Sequence, residues 1–248
     1  MQLRIATFNL ENWDDGGDSF DLATRIEATR PLLLRARADV ICLQEVHGQE
    51  PETDGPRELA ALGALLDGTP YADYEYSTTT TTADEPYDKR NLVVLSRHPI
   101  SDAKLISDRE AKPSWRLLTA DPPQPEAREF GWERPIQHVT IDLPDVGPLH
   151  VINLHLKSKL PTPVPGQRHP EVRWKWLSAA GWAEGYFLSS VKRVGQAMQT
   201  RRLLDTIFAA DRDARIALCG DLNADLDDVP VLAIRGRVEE TQNPELAH

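Results

Sequence analysis

The sequence predicts an α+β sandwich. Seven short apolar or β-branched runs read as strands, only three stretches read as helices, and two long proline-bearing loops interrupt the chain. A doubly wound sheet needs helices alternating regularly with strands, and that alternation is missing.

The elements follow in order. Residues 2–10 (Gln-Leu-Arg-Ile-Ala-Thr-Phe-Asn-Leu) form the first strand. Asp21 to Arg37 carries Leu22, Ile26, Leu33 and Leu34 at helical spacing, with Pro31 as an expected interruption. Asp39 to Gln44 is a short apolar run suited to a buried strand, and Pro56 to Leu66 reads as a helix with proline in its first turn. Tyr71 to Thr82 is β-branched and aromatic, so a strand or sheet edge, and Asn91 to Ser96 is a further strand. Residues 109–134 contain Pro113, Pro122, Pro123 and Pro125 and read as a loop. Pro135–Leu143 and Leu149–Leu156 pair around the turn Pro144-Asp-Val-Gly-Pro148. A second loop with four prolines covers 158–176, Trp182 to Ala210 is the longest helix, and Arg215 to Cys219 is a strand running into Gly220-Asp221. After Pro230 the pattern fades. With no internal repeat and no linker, residues 1–248 are expected to be a single domain.

Composition narrows the function classes. The chain has 248 residues and a formal net charge of −11. No apolar run reaches membrane-spanning length. The start, Met1 to Asn9, has no apolar signal core, so the cytoplasm is the expected compartment unless a leader was removed. Cys42 and Cys219 are too few for a disulfide scaffold and are expected to be two buried thiols. Between Lys157 and Arg202 there are nine Lys or Arg and two acids, a net of +7, which leaves −18 on the remainder. An acidic body with one basic segment holds a polyanion locally while repelling it elsewhere.

Several strands end in polar residues that a core would not choose. Asn9 and Glu11 follow the first strand and point to one side if the chain stays extended. Glu45 follows Val40–Gln44. Asn153, His155 and Lys157 alternate with Ile152, Leu154 and Leu156, so they share the face opposite the apolar one. Asp221 and Asn223 follow the strand at 215–219, with Gly220 letting the backbone turn. Taken singly, each has an ordinary explanation: a solvent-facing acid, an Asx turn, a packed histidine. Together they fit phosphate-ester hydrolysis, which needs stabilised negative charge and an in-line water. Hard oxygen ligands such as Glu45 suit Mg²⁺, Asp221 is placed to take a proton from water, and Asn223, Asn9, Lys157 and His155 offer donors to phosphate oxygens.

The segments Thr7-Phe-Asn-Leu-Glu11, Leu43-Gln-Glu-Val46, Asn153-Leu-His155 and Gly220-Asp-Leu-Asn223 resemble, in family order, the successive motifs of the endonuclease/exonuclease/phosphatase superfamily. Its members include pancreatic-type deoxyribonucleases, apurinic endonucleases, neutral sphingomyelinases and inositol polyphosphate phosphatases. Arg90 to Ile100 also resembles the family's middle strand and its following turn, and Asn153 to Lys159 looks most like a bacterial nuclease-like branch. The resemblance implies a four-layer α/β/β/α sandwich with two mixed β-sheets and a divalent metal, Mg²⁺ or Mn²⁺. It implies Glu45 as metal ligand, Asn9 as support for the metal or phosphate, and Glu11 where some branches place a second acid. His155 would be a phosphate contact or general acid, and Asp221 with Asn223 would orient the water and bind phosphate. Asn153 and Lys157 flank His155 as phosphate-binding residues.

One departure stands out. The family normally ends in Ser-Asp-His, whereas this chain has no Asp-His dipeptide, and Glu240 to His248 does not supply one. The expectation is a fold lacking its C-terminal strands and a rate below that of a complete enzyme. In the loop 158–176, Lys159, Arg168, Arg173 and Lys175 interleave with Trp174 and Trp176. That pattern suits a flexible polyanion, although tryptophans packing the loop onto the body account for it equally. Trp115, Trp132 and Arg134 of the other long loop would form an opposite wall, with Arg134 as a phosphate contact. The expected activity is a metal-dependent phosphodiesterase acting on nucleic acid. The alternatives are the same site acting on a phosphomonoester or phospholipid headgroup, and a catalytically impaired binding protein.

Overall fold

A computed structural model describes residues 2–16, 20–50, 55–107, 113–132, 134–172 and 174–243. The chain divides into two compact units. The first holds residues 1–106, 136–155 and 213–221, the second residues 107–135, 156–212 and 222–248.

The first unit is built on two mixed sheets. One contains β1 (Ile5–Trp13), β2 (Val40–Val46), β3 (Glu75–Thr78) and β4 (Asn91–Ser96) in the order β1-β2-β4-β3. Strands β1 and β2 are parallel, and the other pairs antiparallel. Helices α1 (Leu22–Ala36) and α2 (Ala60–Leu66) belong to the same unit. The second sheet contains β5 (Ile100–Ile106), β8 (Ile136–Leu143), β9 (Gly147–His155) and β10 (Arg215–Asp221) in the order β10-β9-β8-β5, with only β9 and β10 parallel. Strands β6 (Ser114–Trp115) and β7 (Arg128–Glu129) form a small ribbon in the second unit. With α3 (Ala179–Ala210) and α4 (Val229–Arg235), the two mixed sheets and four helices make an α+β sandwich.

Two apolar layers hold the first unit. Leu10, Trp13, Ile41, Leu43 and Leu95 pack with Leu33, Leu62 and Leu65 of the helices. Val40, Cys42 and Val94 pack with Val139, Ile141 and Val151 of the second sheet. The alternation of a strand sends successive side chains of β2 into the two layers.

Most elements stand where the sequence puts them, and the differences have local causes. Asp21 caps α1 by accepting from the Thr24 N–H, and the helix runs through Pro31 rather than breaking there. Burial of Leu33, with Leu22 and Ile26 against the same core, outweighs the roughly 3 kcal/mol that an internal proline costs. Helix α2 starts at Ala60, not Pro56. The chain before it is held extended by reciprocal backbone bonds between Gln49 and Glu58, and the Ala61 N–H donates to Gln49 Oε1. Strand β5, absent from the sequence reading, is a polar edge strand (Ile-Ser-Asp-Ala-Lys-Leu-Ile) paired on one side only.

On β8 and β9, His138 Nε2 lies 3.0 Å from His150 Nδ1. Burial, then the charges of His150 and Lys104, push the His138 pKa down to about 4 from an ordinary 6.5. The unfolded chain therefore binds a proton more readily than the native one between those values. This group's contribution to stability is complete above pH 6.5 and is lost as pH falls towards 4. Melting temperatures recorded from pH 7 to pH 4 should fall less steeply for His138→Gln than for the unaltered protein. Equal slopes would show that His138 does not carry this dependence.

In the second unit, Glu184 of α3 is a buried carboxylate that accepts from Trp115 Nε1, the Leu118 and Thr119 N–H groups and the Thr119 hydroxyl. Burial alone would raise its pKa, but these bonds, led by that of Thr119, hold it below the ordinary value. Glu184 thus anchors residues 115–119 to α3. The loop 158–176 is held by its own aromatics: the Arg168 guanidinium lies over the rings of Trp174 and Trp176 at 5.8 and 4.9 Å. Arg173 and residues 244–248 lie outside the described residues. Among the described residues no helix is long and apolar enough to cross a membrane.

Candidate active site

The site lies in the first unit, where both sheets bring strand ends together. Strands β1 and β2 run in parallel register with Asn9 beside Gln44, and β9 and β10 with His155 beside Asp221. Glu45 has φ 61 inside β2, at a register irregularity between Leu43 and Val46. Its Oε2 accepts from the Asn12 N–H at 3.1 Å. The Asn9 amide nitrogen then lies between two acids, 2.9 Å from Asp221 Oδ2 and 3.4 Å from Glu45 Oε1. His155 Nε2 lies 3.5 Å from each of the same two oxygens. The His155 side chain is buried, while those of Glu45 and Asp221 stay 16 % and 30 % exposed. Four residues from four strands therefore converge, and the carboxylates keep contact with solvent.

Gly220 makes this possible. Its φ is +129, and an added Cβ would collide with the Leu154 carbonyl oxygen of the neighbouring strand. Gly220→Ala should therefore displace β10 from β9 just before Asp221. The expected result is a destabilisation of about 2 kcal/mol or more, read as a lowered denaturation midpoint. An unchanged midpoint would contradict the close approach.

Three expected metal residues receive different places. Glu45 is at the centre. Asn9 is beside it, but its Oδ1 accepts from the Glu11 N–H at 2.9 Å, so it presents nitrogen, not oxygen, to the carboxylates. Asn9 thus holds both carboxylates by hydrogen bonds, which suits a residue that supports the metal or phosphate site. The resemblance places Glu11 as a second acid, and an extended chain would set it on the same side as Asn9. Glu11 and Asn12 both have φ 51, the register with β2 breaks between Asn9 and Trp13, and the alternation is lost. Glu11 lines a cavity of about 340 Å³ with Asn9, Phe20 and Arg25.

Asn153 is a fully buried residue of β9. It points between the sheets with no exposure. Its amide nitrogen lies within 3.2 Å of the Leu43 and Val93 carbonyls and of Gln137 Oε1, and its Oδ1 accepts from Gln44 at 2.8 Å. A buried amide with these partners has no donor left for phosphate. Gln44, which the sequence reading passed over as part of an apolar strand, continues the same chain to Thr7. Together they tie the two sheets beneath the site. The pattern Gln-Glu at the end of an apolar strand was the available signal for Gln44.

Arg134, Lys157 and Asn223 belong to the second unit, where they gather around one stretch of backbone. Arg134 Nη1 and Asn223 Nδ2 donate to the Leu156 carbonyl at 3.4 and 3.0 Å. The Lys157 N–H donates to Gln196 Oε1, and its carbonyl accepts from Arg193.

The profile of the endonuclease/exonuclease/phosphatase family matches residues 6–241. The chain belongs to that family. Its members hydrolyse phosphate esters. No curated protein matches the chain. Among solved structures, the mannosyl-6-phosphatase of Bacteroides thetaiotaomicron is similar with a TM-score of 0.53 and 17% identity, covering 96% of this chain and 71% of that one. Sphingomyelinase C from Streptomyces griseocarneus gives a TM-score of 0.51 and 18% identity over 92% of this chain and 66% of that one. TDP2 from Caenorhabditis elegans gives 0.51 and 15% over 88% and 47%, so the chain spans about half of that protein's length. These likenesses show the fold.

Members of this family typically use a divalent metal ion. Among the described residues, no three His, Cys, Asp or Glu side chains are grouped to hold a metal by themselves. Mg²⁺ does not require such a cage, since it keeps several waters and takes one or two carboxylates with substrate phosphate. The two partly exposed carboxylates that share Asn9 and His155 as neighbours fit that need.

Proposed function

We propose that the chain, acting as one catalytic domain, is a Mg²⁺-dependent phosphodiesterase that cleaves nucleic acid. The convergence of Glu45, Asp221, His155 and Asn9 from four strands carries this reading. Glu45 would hold the ion, with Asp221 as the neighbouring carboxylate. When bound, the ion supplies charge stabilisation on the phosphoryl oxygens.

The rest of the work falls to side chains. Asp221 takes the proton of the attacking water. Asn9 fixes that carboxylate through its 2.9 Å hydrogen bond and so limits the positions the water occupies. His155, buried behind both acids, donates to a phosphate oxygen. Lys157, Arg134 and Asn223 are the proposed phosphate contacts of the second unit.

A panel of substrates tests the reading: labelled single- and double-stranded DNA and RNA, a sugar phosphate, and sphingomyelin. Cleaved oligonucleotides are expected. Release of inorganic phosphate from the monoester, or of phosphocholine, with intact oligonucleotides would overturn the nuclease assignment in favour of those esters. Binding without turnover of any substrate would leave only the impaired, binding form of the fold.

A further inference from the structure

The cavity of about 340 Å³ that Asn9 and Glu11 share lies between β1 and α1, within the first unit. Phe8, Leu10 and Trp13 of β1 and Ala28 of α1 give it apolar walls. Phe20, the residue before the Asp21 cap of α1, also lines it. Phe20 is 66 % exposed, the most of any aromatic residue among those described. A lone exposed apolar side chain needs no account. A residue at this position often packs on the fourth residue of the helix as a staple. Here that residue is Arg25, whose guanidinium lies over the Trp13 ring instead. Phe20 therefore walls a cavity that reaches Asn9, and the Asn9 amide donates to Asp221.

The cavity is preformed, and its charges disfavour a phosphate. The Arg25 guanidinium donates to the Leu10, Glu11 and Asn12 carbonyls and lies 4.8 Å from the Trp13 ring centre. These bonds fix the left-handed backbone at Glu11 and Asn12. The cation is thus committed to main-chain oxygens, and the Glu11 carboxylate repels an anion. A flat, uncharged group fits better. Its face stacks on Phe20, and its polar edge meets the Thr24 hydroxyl or the Glu11 carboxylate. A nucleobase has both the face and the edge. An acyl chain lacks the edge, and a sugar lacks the aromatic face.

We infer that this cavity is a nucleobase subsite, in which a base next to the scissile phosphate stacks on Phe20. The inference rests on the nuclease reading and adds a residue that binds the base rather than the phosphodiester. Stacking holds ground state and transition state alike, so its loss should appear in KM and leave kcat unchanged.

The test uses the full chain with Mg²⁺ and a short single strand holding one phosphodiester bond among uncleavable methylphosphonate linkages. Two further substrates replace the base on the 5′ or the 3′ side of that bond by an abasic tetrahydrofuran. The set is made in DNA and in RNA form, and the form that the unaltered chain cleaves is used. Removing the base on one side should cost the unaltered chain about 10-fold in kcat/KM, all of it in KM. Phe20→Ala should show the same loss on the complete substrate and no further loss when that base is removed. Phe20→Trp should keep the full rate. Phe20 is exposed and belongs to neither apolar layer, so the variants should melt with the unaltered chain. Equal kcat/KM of the unaltered chain on all three substrates would overturn the subsite and leave the nuclease reading standing. So would a Phe20→Ala variant that still loses 10-fold, or roughly so, on removal of the base. Cleavage of neither the DNA nor the RNA form would overturn the nuclease reading, and the subsite with it.

Discussion

Glu45→Gln should lower turnover by about 10³-fold or more, the scale of losing several kcal/mol of charge stabilisation. The substitution keeps the shape of the side chain and an oxygen that can accept from the Asn12 N–H, so the φ 61 conformation of residue 45 keeps its tether. What is lost is one of the two carboxylate charges that share Asn9 and His155. The melting temperature should stay within a few degrees, because Glu45 is partly exposed and belongs to neither apolar layer. The measurement is kcat and KM on a cleavable oligonucleotide across a Mg²⁺ titration, with a melting curve on the same sample. Unchanged kcat in a folded variant would remove Glu45 from the reaction.

Asp221→Asn should cost about 10²- to 10⁴-fold in kcat, the usual contribution of a positioned base. An amide has no lone pair basic enough to take a proton from water. The side chain also stops being a pure acceptor, so the 2.9 Å bond from Asn9 holds only if the new amide turns its oxygen towards Asn9. KM should change less than kcat, since the loss falls on the step and not on ground-state binding. A variant that keeps kcat but loses affinity would make Asp221 a binding residue instead. The two substitutions combined should cost less than the product of their separate effects, because residues acting as one unit are not additive.

The sequence made much of this arrangement legible. Strand β4 occupies the residues its pattern predicts, and β8 and β9 form the expected pair, because β-branched runs bounded by turn residues carry their own signal. Glu45, His155 and Asp221 were visible as polar ends of apolar strands. Other features depend on tertiary pairing and left no local trace. Strand β5 is polar and at an edge, so no alternation marked it. The irregular backbone at Glu11 and Asn12 breaks the alternation that a two-residue spacing implies. Asn153 shares its parity with His155, as expected, but both faces of β9 are buried, so its amide holds the sheets together.

The most direct test of the account is cleavage of a fluorescent single-stranded DNA by the unaltered chain, followed with Mg²⁺, with Mn²⁺ and with excess EDTA. Cutting in both metals, its loss on chelation and its return when Mg²⁺ is restored are predicted. Cleavage that continues unchanged in EDTA would contradict a reaction built on Glu45 and its metal.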